Sequence, residues 1–341
     1  METENRTSQH AGLTAKPRLV IQTVEDAPKP YNAAAIEDLA DVVYTGPAGL
    51  ATALPDADAL LLWTRFAGVL QRSWPAKHHL QWVHIAAAGV DSVLFDELRD
   101  APVSVTNAHG VYDEPIAEFV LGSVLAHDKQ LHVSKGFQRN AEWRRRELTR
   151  TAGKRVLIVG TGGIGRATAR LLSAVGLEVR GAGRTERDDD PDFGTVVSSS
   201  ELAEHAAWAD HLVLIAPLTP DTRSIVDAEV LAAMKPSAHL INVGRGALVD
   251  EPALVQALQT HRIAAASLDV FATEPLPEEH PFWTMDNVHV SAHMCGDVTG
   301  WQDAVADQFL DNLRRFVEGR ELRNPVDKER GYAQKVPVPA S

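Results

Sequence analysis

A single cysteine, Cys295, stands in 341 residues. That excludes an internal disulfide framework and fits a reducing, cytoplasmic setting. Positive charge is also scarce. With 33 Lys and Arg against 46 Asp and Glu, the formal charge is −13, which argues against nucleic acid or an anionic membrane as partner. No apolar run approaches the roughly 18–20 residues of a membrane span. The polar start, METENRTSQHAGLTAK, has no signal-peptide core. No His, Cys, Asp or Glu cluster has metal-ligand spacing, so no metal site is expected. The hydrophobic share of 45% and charged share of 23% are those of a globular chain, and the length is enough for two cores.

The most informative stretch is RVLIVGTGGIGRATARLL, Arg155–Leu172. A β-branched apolar run, Val156 to Val159, suits a buried parallel strand. Gly160, Gly162 and Gly165 follow in the order G-x-G-x-x-G, and a helix-period run through Ala169, Leu171 and Leu172 completes the unit. In such a turn the first glycine permits the tight reversal. The second lets a pyrophosphate approach the backbone, and the third lets helix pack on strand. The helix N-terminus then faces the anion. With strand and helix both legible around it, the motif predicts a dinucleotide site that includes Gly163 and Ile164.

The chain as a whole alternates short apolar strands with helical segments. Strands are predicted over 18–24, 41–46, 59–63, 80–87 and 103–108. A second set follows at 155–160, 177–183, 211–217, 239–244, 264–271 and 287–293. Between the sets, Ile116 to Leu131 reads as one long helix with a broad apolar stripe. A helix from about Thr299 returns the chain to the first set. The expected fold class is α/β: two Rossmann-like or flavodoxin-like parallel-sheet domains, one inserted in the other. Residues 18–112 and 300–325 make the outer domain and 113–299 the cofactor domain. Residues 1–17 and 326–341 read as flexible tails. A cleft between the domains is the expected ligand site.

An NAD-specific unit carries an acidic residue at the end of its second strand. Here that place falls at Gly183, followed by Arg184, Thr185 and, further on, Arg187. A guanidinium pairs with a 2′-phosphate where a carboxylate would repel it. NADP(H) is therefore the preferred cofactor, with NAD(H) the alternative.

LINVGRGALVDEPALVQAL (240–258), LDVFATEPLP (268–277) and NVHVSAHMCGD (287–297), with APLTPDTRSIV (216–226) and HIAAAGVD (84–91), resemble the D-isomer-specific 2-hydroxyacid dehydrogenases, most of all their glyoxylate/hydroxypyruvate reductase A branch. The resemblance spans about residues 18 to 325. It implies that Arg245 grips the substrate carboxylate and carbonyl. A planar cation straight after a strand end suits a 2-keto acid in the same way. It implies that His293 is the general acid and Glu274 its partner, as a ketone reduced by hydride requires a proton donor. An adjacent carboxylate also raises an imidazolium pKa. Asp269 is placed beside the nicotinamide, with Pro217, Val243 and Gly244 lining the cofactor. In the outer, substrate domain the Ala88, Gly89 and Val90 amides are implied to meet the substrate carboxylate, and Trp63 to face the substrate. Two departures stand out: Ala292 replaces the usual proline before the histidine, and Asp113-Glu114 replaces a hydroxyl residue and a variable one. Cys295 is read as a small packed residue rather than a reactive thiol.

The implied activity is NADPH-dependent, reversible reduction of small 2-oxoacids such as glyoxylate, hydroxypyruvate or pyruvate-like acids, by a homodimer formed through residues 113–150. A nucleotide-sensing corepressor or scaffold on the same fold is the alternative from another class. A phosphoglycerate dehydrogenase-like enzyme is the alternative within the fold, disfavoured by the lack of a further regulatory domain.

Overall fold

The computed structural model describes residues 15–24, 27–64 and 67–333. The N-terminal tail expected over 1–17 lies outside these residues except at its end, where Pro17 is buried and its carbonyl accepts the Asp41 N–H at 2.9 Å. Two compact units emerge, one of residues 1–111 with 299–341 and one of 112–298. Among the described residues, no helix is long and apolar enough to cross a membrane.

The first unit holds a five-stranded parallel sheet. Its strands are β1 (Arg18–Gln22), β2 (Asp41–Thr45), β3 (Ala59–Leu62), β4 (Trp82–Ile85) and β5 (Ser104–Asn107), in the order β2-β1-β3-β4-β5. All four residues of β3 and of β4 are buried. This is why they read as continuous apolar runs rather than as alternating ones. The helix Trp301–Val317 belongs to this unit. Its Phe309 stacks on Trp82 with ring centroids 5.3 Å apart and planes 13° apart, and Phe316 lies 5.3 Å from the same indole.

The C-terminal tail expected from 326 onward is not one throughout. Val326–Asp327 pairs antiparallel with Tyr332–Ala333, and Val326 is buried in this unit's core. Asp327 Oδ1 accepts the N–H groups of Glu329 and Arg330, while the Lys328 ammonium donates to the carbonyls of Leu98 and Ala101 at 3.1 and 2.5 Å. Local hydrogen bonding holds what composition marked as loose.

The second unit is built on an eight-stranded sheet. Its strands are β6 (Arg155–Val159), β7 (Glu178–Gly183), β8 (Arg187–Asp190), β9 (Gly194–Ser198), β10 (His211–Leu214), β11 (His239–Asn242), β12 (Ala265–Leu268) and β13 (Val288–Val290). The order is β13-β12-β11-β10-β6-β7-β9-β8, parallel except for β8 on β9. From β6 the chain winds outward to β9, then returns to β10 and winds the other way. The reversal lies between β6 and β10, the switch point at which such sheets bind ligands beyond their strand ends. The β8–β9 pair was not expected, because RDDD has no apolar signal. Strands predicted up to eight residues long close after three to six, since the backbone leaves the ladder to form the loops of the site.

The helix expected over Ile116–Leu131 is two. One runs Asp113–Asp128, and after Gln130, which adopts a left-handed φ of 48°, a second covers Leu131–Arg139. The buried residues of the first, Ile116, Ala117, Val120, Val124 and Asp128, fall on one face, with Glu114, Glu118 and Gly122 exposed. The broad stripe is therefore narrower than its composition suggested.

Phe309→Ala removes a wholly buried ring from the stack that ties the C-terminal helix to the first unit. It is expected to lower stability by about 3–5 kcal/mol, read from denaturant unfolding.

Candidate functional site

In the second unit most of the expected functional residues lie at or just beyond the C-terminal end of a strand of the parallel sheet. Gly160 follows β6, and Arg184 and Thr185 follow β7. Pro217 comes after β10, Arg245 after β11, Asp269 after β12 and His293 after β13. A parallel sheet sends all its strand ends to one side, so residues far apart in sequence gather there.

The glycine turn has the geometry of a phosphate cradle. Gly160 has φ of +116°, and a Cβ on it would fall 2.6 Å from the Ala216 nitrogen, so the β6 and β10 loops approach as only glycine allows. A Cβ on Gly162 would meet nothing within 4 Å, which leaves open space beside that backbone. The helix Gly163–Ala174 begins here with no side-chain cap from Gly162, and a helix N-terminus favours an anion. The Asp113 carboxylate lies against Gly163. These residues fit a dinucleotide pyrophosphate.

At the end of β7, Arg184 and Thr185 are exposed and Gly183 is partly buried. Arg187 is directed elsewhere: its Nε donates to Asp190 Oδ2 at 2.7 Å. Asp190, 6% exposed, also takes both terminal nitrogens of Arg166 at 3.0 and 2.9 Å. Burial opposes its charge, but these two guanidinium contacts hold its carboxyl well below the usual carboxylate range. Asp190 thus anchors the β8 turn beside the two exposed residues. A reading guided by apolar pattern passes over it; its signal was an Asp run two residues past an Arg-Thr-Glu segment.

Arg245 is partly buried in extended backbone, its carbonyl held by Asn242 Nδ2 at 2.9 Å and its Nη1 donating to the Gly244 carbonyl at 2.8 Å. Val243 is buried and donates to the Leu214 carbonyl at 3.1 Å. Gly246 was not singled out from sequence, yet any Cβ there would collide with the Phe271 backbone. Its absence of a side chain brings the Arg245 loop against the loop that carries Glu274. Glu251, also not anticipated, accepts the Ala272 N–H at 3.1 Å and pairs with His280 at 3.3 Å, fixing the far side of that loop.

His293 Nδ1 lies 2.7 Å from Glu274 Oε2, and Glu274 Oε1 accepts the Phe271 N–H at 3.0 Å. The bond to Glu274 outweighs burial and raises the His293 pKa. Burial alone would raise Glu274, but the bonds from His293 and Phe271 hold its carboxyl below its ordinary value. Burial instead pushes His84 down to about 3, His127 and His289 down to about 4, and His239 well below the usual histidine range. Those four rings are neutral near pH 7, whereas His293 is poised to carry a proton.

Asp269 is wholly buried. Its Oδ1 accepts from the Ser291 hydroxyl at 2.6 Å and the Met294 N–H at 3.0 Å, and its Oδ2 from the Cys295 N–H at 3.0 Å. Burial opposes ionisation, but these donors and the Cys295 thiol keep the carboxyl below its ordinary pKa. Cys295 is 7% exposed, and burial and the Asp269 charge push its thiol up. It is a packed residue.

In the first unit, the loop after β4 holds Ala88, Gly89 and Val90. The Ala88 carbonyl accepts from Asn107 Nδ2 at 2.5 Å, and the Val90 carbonyl accepts the N–H groups of Val93 and Leu94 at 3.0 and 3.1 Å. Among the described residues no acceptor faces the N–H groups of Ala88, Gly89 or Val90, so the loop is tied by its carbonyls and offers its donors. Trp63, also in this unit, follows β3. It is 3% exposed and its indole N–H donates to the Pro28 carbonyl at 3.1 Å, so its polar edge serves packing within its own unit.

Comparison with known proteins gives the family. The family model for the NAD binding domain of D-isomer specific 2-hydroxyacid dehydrogenases matches residues 121–295. The chain is 34% identical to glyoxylate/hydroxypyruvate reductase A HPR2 of Arabidopsis thaliana, over 73% of this chain and 79% of that one. Among solved structures, it resembles a D-isomer specific 2-hydroxyacid dehydrogenase of Xanthobacter autotrophicus Py2 in complex with NADPH and MES. The TM-score is 0.77 and the identity 32%, over 93% of this chain and 100% of that one. It also resembles an NADPH-dependent glyoxylate/hydroxypyruvate reductase of Sinorhizobium meliloti in complex with NADP and sulfate, with TM-score 0.79 and 28% identity over 93% and 100%. The chain therefore belongs to the D-isomer specific 2-hydroxyacid dehydrogenase family, NAD(P)-dependent oxidoreductases that interconvert 2-oxoacids and 2-hydroxyacids.

Proposed function

We propose that the protein reduces small 2-oxoacids of the glyoxylate and hydroxypyruvate kind to D-2-hydroxyacids, with NADPH preferred over NADH. The observation that carries this reading is the 2.7 Å contact of His293 with Glu274 at the same sheet edge as Arg245 and the glycine turn. Reduced nicotinamide, when bound, supplies the hydride. Arg245 takes the substrate carboxylate and polarises the keto oxygen through its planar fork of donors. His293, held as imidazolium by Glu274, delivers a proton to that oxygen as negative charge develops there. Glu274 also fixes which ring nitrogen faces the carboxylate, leaving Nε2 for the substrate. In the first unit, the N–H groups of Ala88, Gly89 and Val90 suit a carboxylate oxygen in the same way as other backbone anion sites. NADPH preference rests on the absence of a carboxylate at the end of β7 and on exposed Arg184 and Thr185 there. A homodimer through residues 113–150 belongs to this reading, since Trp143 is 97% and Leu131 55% exposed, apolar surface that self-association would bury. A scaffold role on the same fold is not favoured, because it gives the His293–Glu274 pair no work.

A panel of 2-oxoacids assayed with both cofactors tests the proposal. Turnover is expected on small acids. His293→Ala and Arg245→Ala should each lower kcat/KM by about 10²–10⁴ while fluorescence titration still detects NADPH binding. An inert wild-type protein, or unaltered variants, overturns the reading.

The pH dependence follows from the direction of the His293 shift. A raised pKa extends the imidazolium to higher pH than an unperturbed histidine would keep it, and reduction declines as pH climbs through that value. Glu274→Gln removes the neighbouring charge, leaving His293 facing Arg245, Asp269 and Asp297. The basic limb of the reduction profile is then expected to move to lower pH.

Arg184→Ala should weaken NADPH by about tenfold or more, the scale of one charge-assisted pair, and leave NADH affinity within about twofold. Equal losses for both cofactors would place the 2′-phosphate elsewhere.

A further inference from the structure

The backbone of His293 is unusual. Its φ is +53°, the left-handed region that side chains other than glycine, asparagine and aspartate seldom occupy. A histidine stays there only if its surroundings over-determine it. Here they do so through one residue. The His293 N–H donates to the Asp269 carbonyl at 2.8 Å, and the next two N–H groups, of Met294 and Cys295, donate to the two carboxylate oxygens of the same aspartate. Three successive amides are thus counted off against Asp269, and the orientation of its carboxylate sets where the chain carrying His293 turns.

That orientation depends in turn on Ser291. Its hydroxyl donates to Asp269 Oδ1 at 2.6 Å, the shortest contact the carboxylate makes, and its own N–H is held by the Leu268 carbonyl at 2.9 Å. Ser291 is partly buried and precedes the turn, and its hydroxyl shares Oδ1 with the Met294 amide. Without its O–H, Oδ1 keeps one amide donor, from Met294, while the Cys295 amide and thiol remain, so the balance of donors on the carboxylate shifts toward Cys295. Nothing in the reaction itself calls for a hydroxyl at this place. Ala292, which follows, brings no rigidity of its own where a proline would fix φ, so the burden of holding the turn falls on the hydrogen bonds.

We infer that Ser291 is a positioning residue for the proton donor: its hydroxyl locks the Asp269 carboxylate, which locks the left-handed turn that aims His293. This rests on the proposed role of His293 and extends it to a residue that does not touch substrate.

The test compares Ser291→Ala, Ser291→Thr and His293→Ala in steady-state 2-oxoacid reduction. Ser291→Ala is expected to lower kcat by about tenfold, as for loss of one charge-assisted hydrogen bond, with KM for NADPH within about twofold of wild type. Ser291→Thr, which retains the hydroxyl, should recover most of kcat. Should the alanine variant fail to fold, Ser291→Cys, of similar shape with a weak donor, carries the same expectation. A Ser291→Ala enzyme with wild-type kcat overturns the inference. So does a loss shared by kcat and both KM values and not relieved by threonine, which marks general loosening. If His293→Ala itself retains wild-type turnover, the proposed function fails. If His293→Ala is inactive and Ser291→Ala is not impaired, only the positioning role does.

Discussion

A fully enclosed carboxylate has to be surrounded by donors, because an ionised group without them cannot be kept out of water at tolerable cost. Asp269 is such a group, and much of the second unit's active edge is organised by meeting its demand. It ends an apolar strand, where no solvent reaches it, and so the segment 291–295 folds around it and supplies one hydroxyl, two amides and a thiol. The left-handed turn at His293 is a consequence of that wrapping. The imidazole then reaches Glu274, whose own second oxygen is pinned by the Phe271 amide.

The same edge shows how a parallel sheet distributes labour. Each strand end contributes one chemical element: an open helix terminus after β6, a cation and a hydroxyl after β7, a guanidinium after β11, an anchoring carboxylate after β12 and an imidazole after β13. The interior contributes shape. Gly160 and Gly246 let neighbouring loops touch at distances no side chain would permit, and Glu251 ties the Glu274 loop back to the helix Glu251–Gln259. Each of these three groups fixes the shape of a loop at the sheet edge.

Most of the fold was legible because buried parallel strands leave uninterrupted Val, Ile and Leu runs, and β1, β3, β6, β10 and β11 all carry them. The β8–β9 pair was not, since Arg187–Asp190 is held by ion pairs with Arg166 and by an edge position, neither of which leaves a hydrophobic trace. The break at Gln130 was hidden for a related reason: apolar spacing continues across it, and only the backbone turns. Trp63 was legible as a tryptophan after a strand, but its direction depends on the Pro28 carbonyl, which the local sequence does not reveal. Ser291 passed unnoticed within an ordinary strand and loop because its significance lies in a partner twenty-two positions away.

Sequence alone determined the α/β class, the glycine turn and its strand and helix, and the residue types at each strand end, because periodicity and turn chemistry are local properties of the chain. Only the tertiary structure decided that Gly246 brings the Arg245 loop against the Glu274 loop, that Arg187 is spent on Asp190, and that Ser291 secures Asp269. Those outcomes depend on which strand ends become neighbours and how closely their loops approach, and distances across a sheet are set by packing of the whole unit rather than by any one segment.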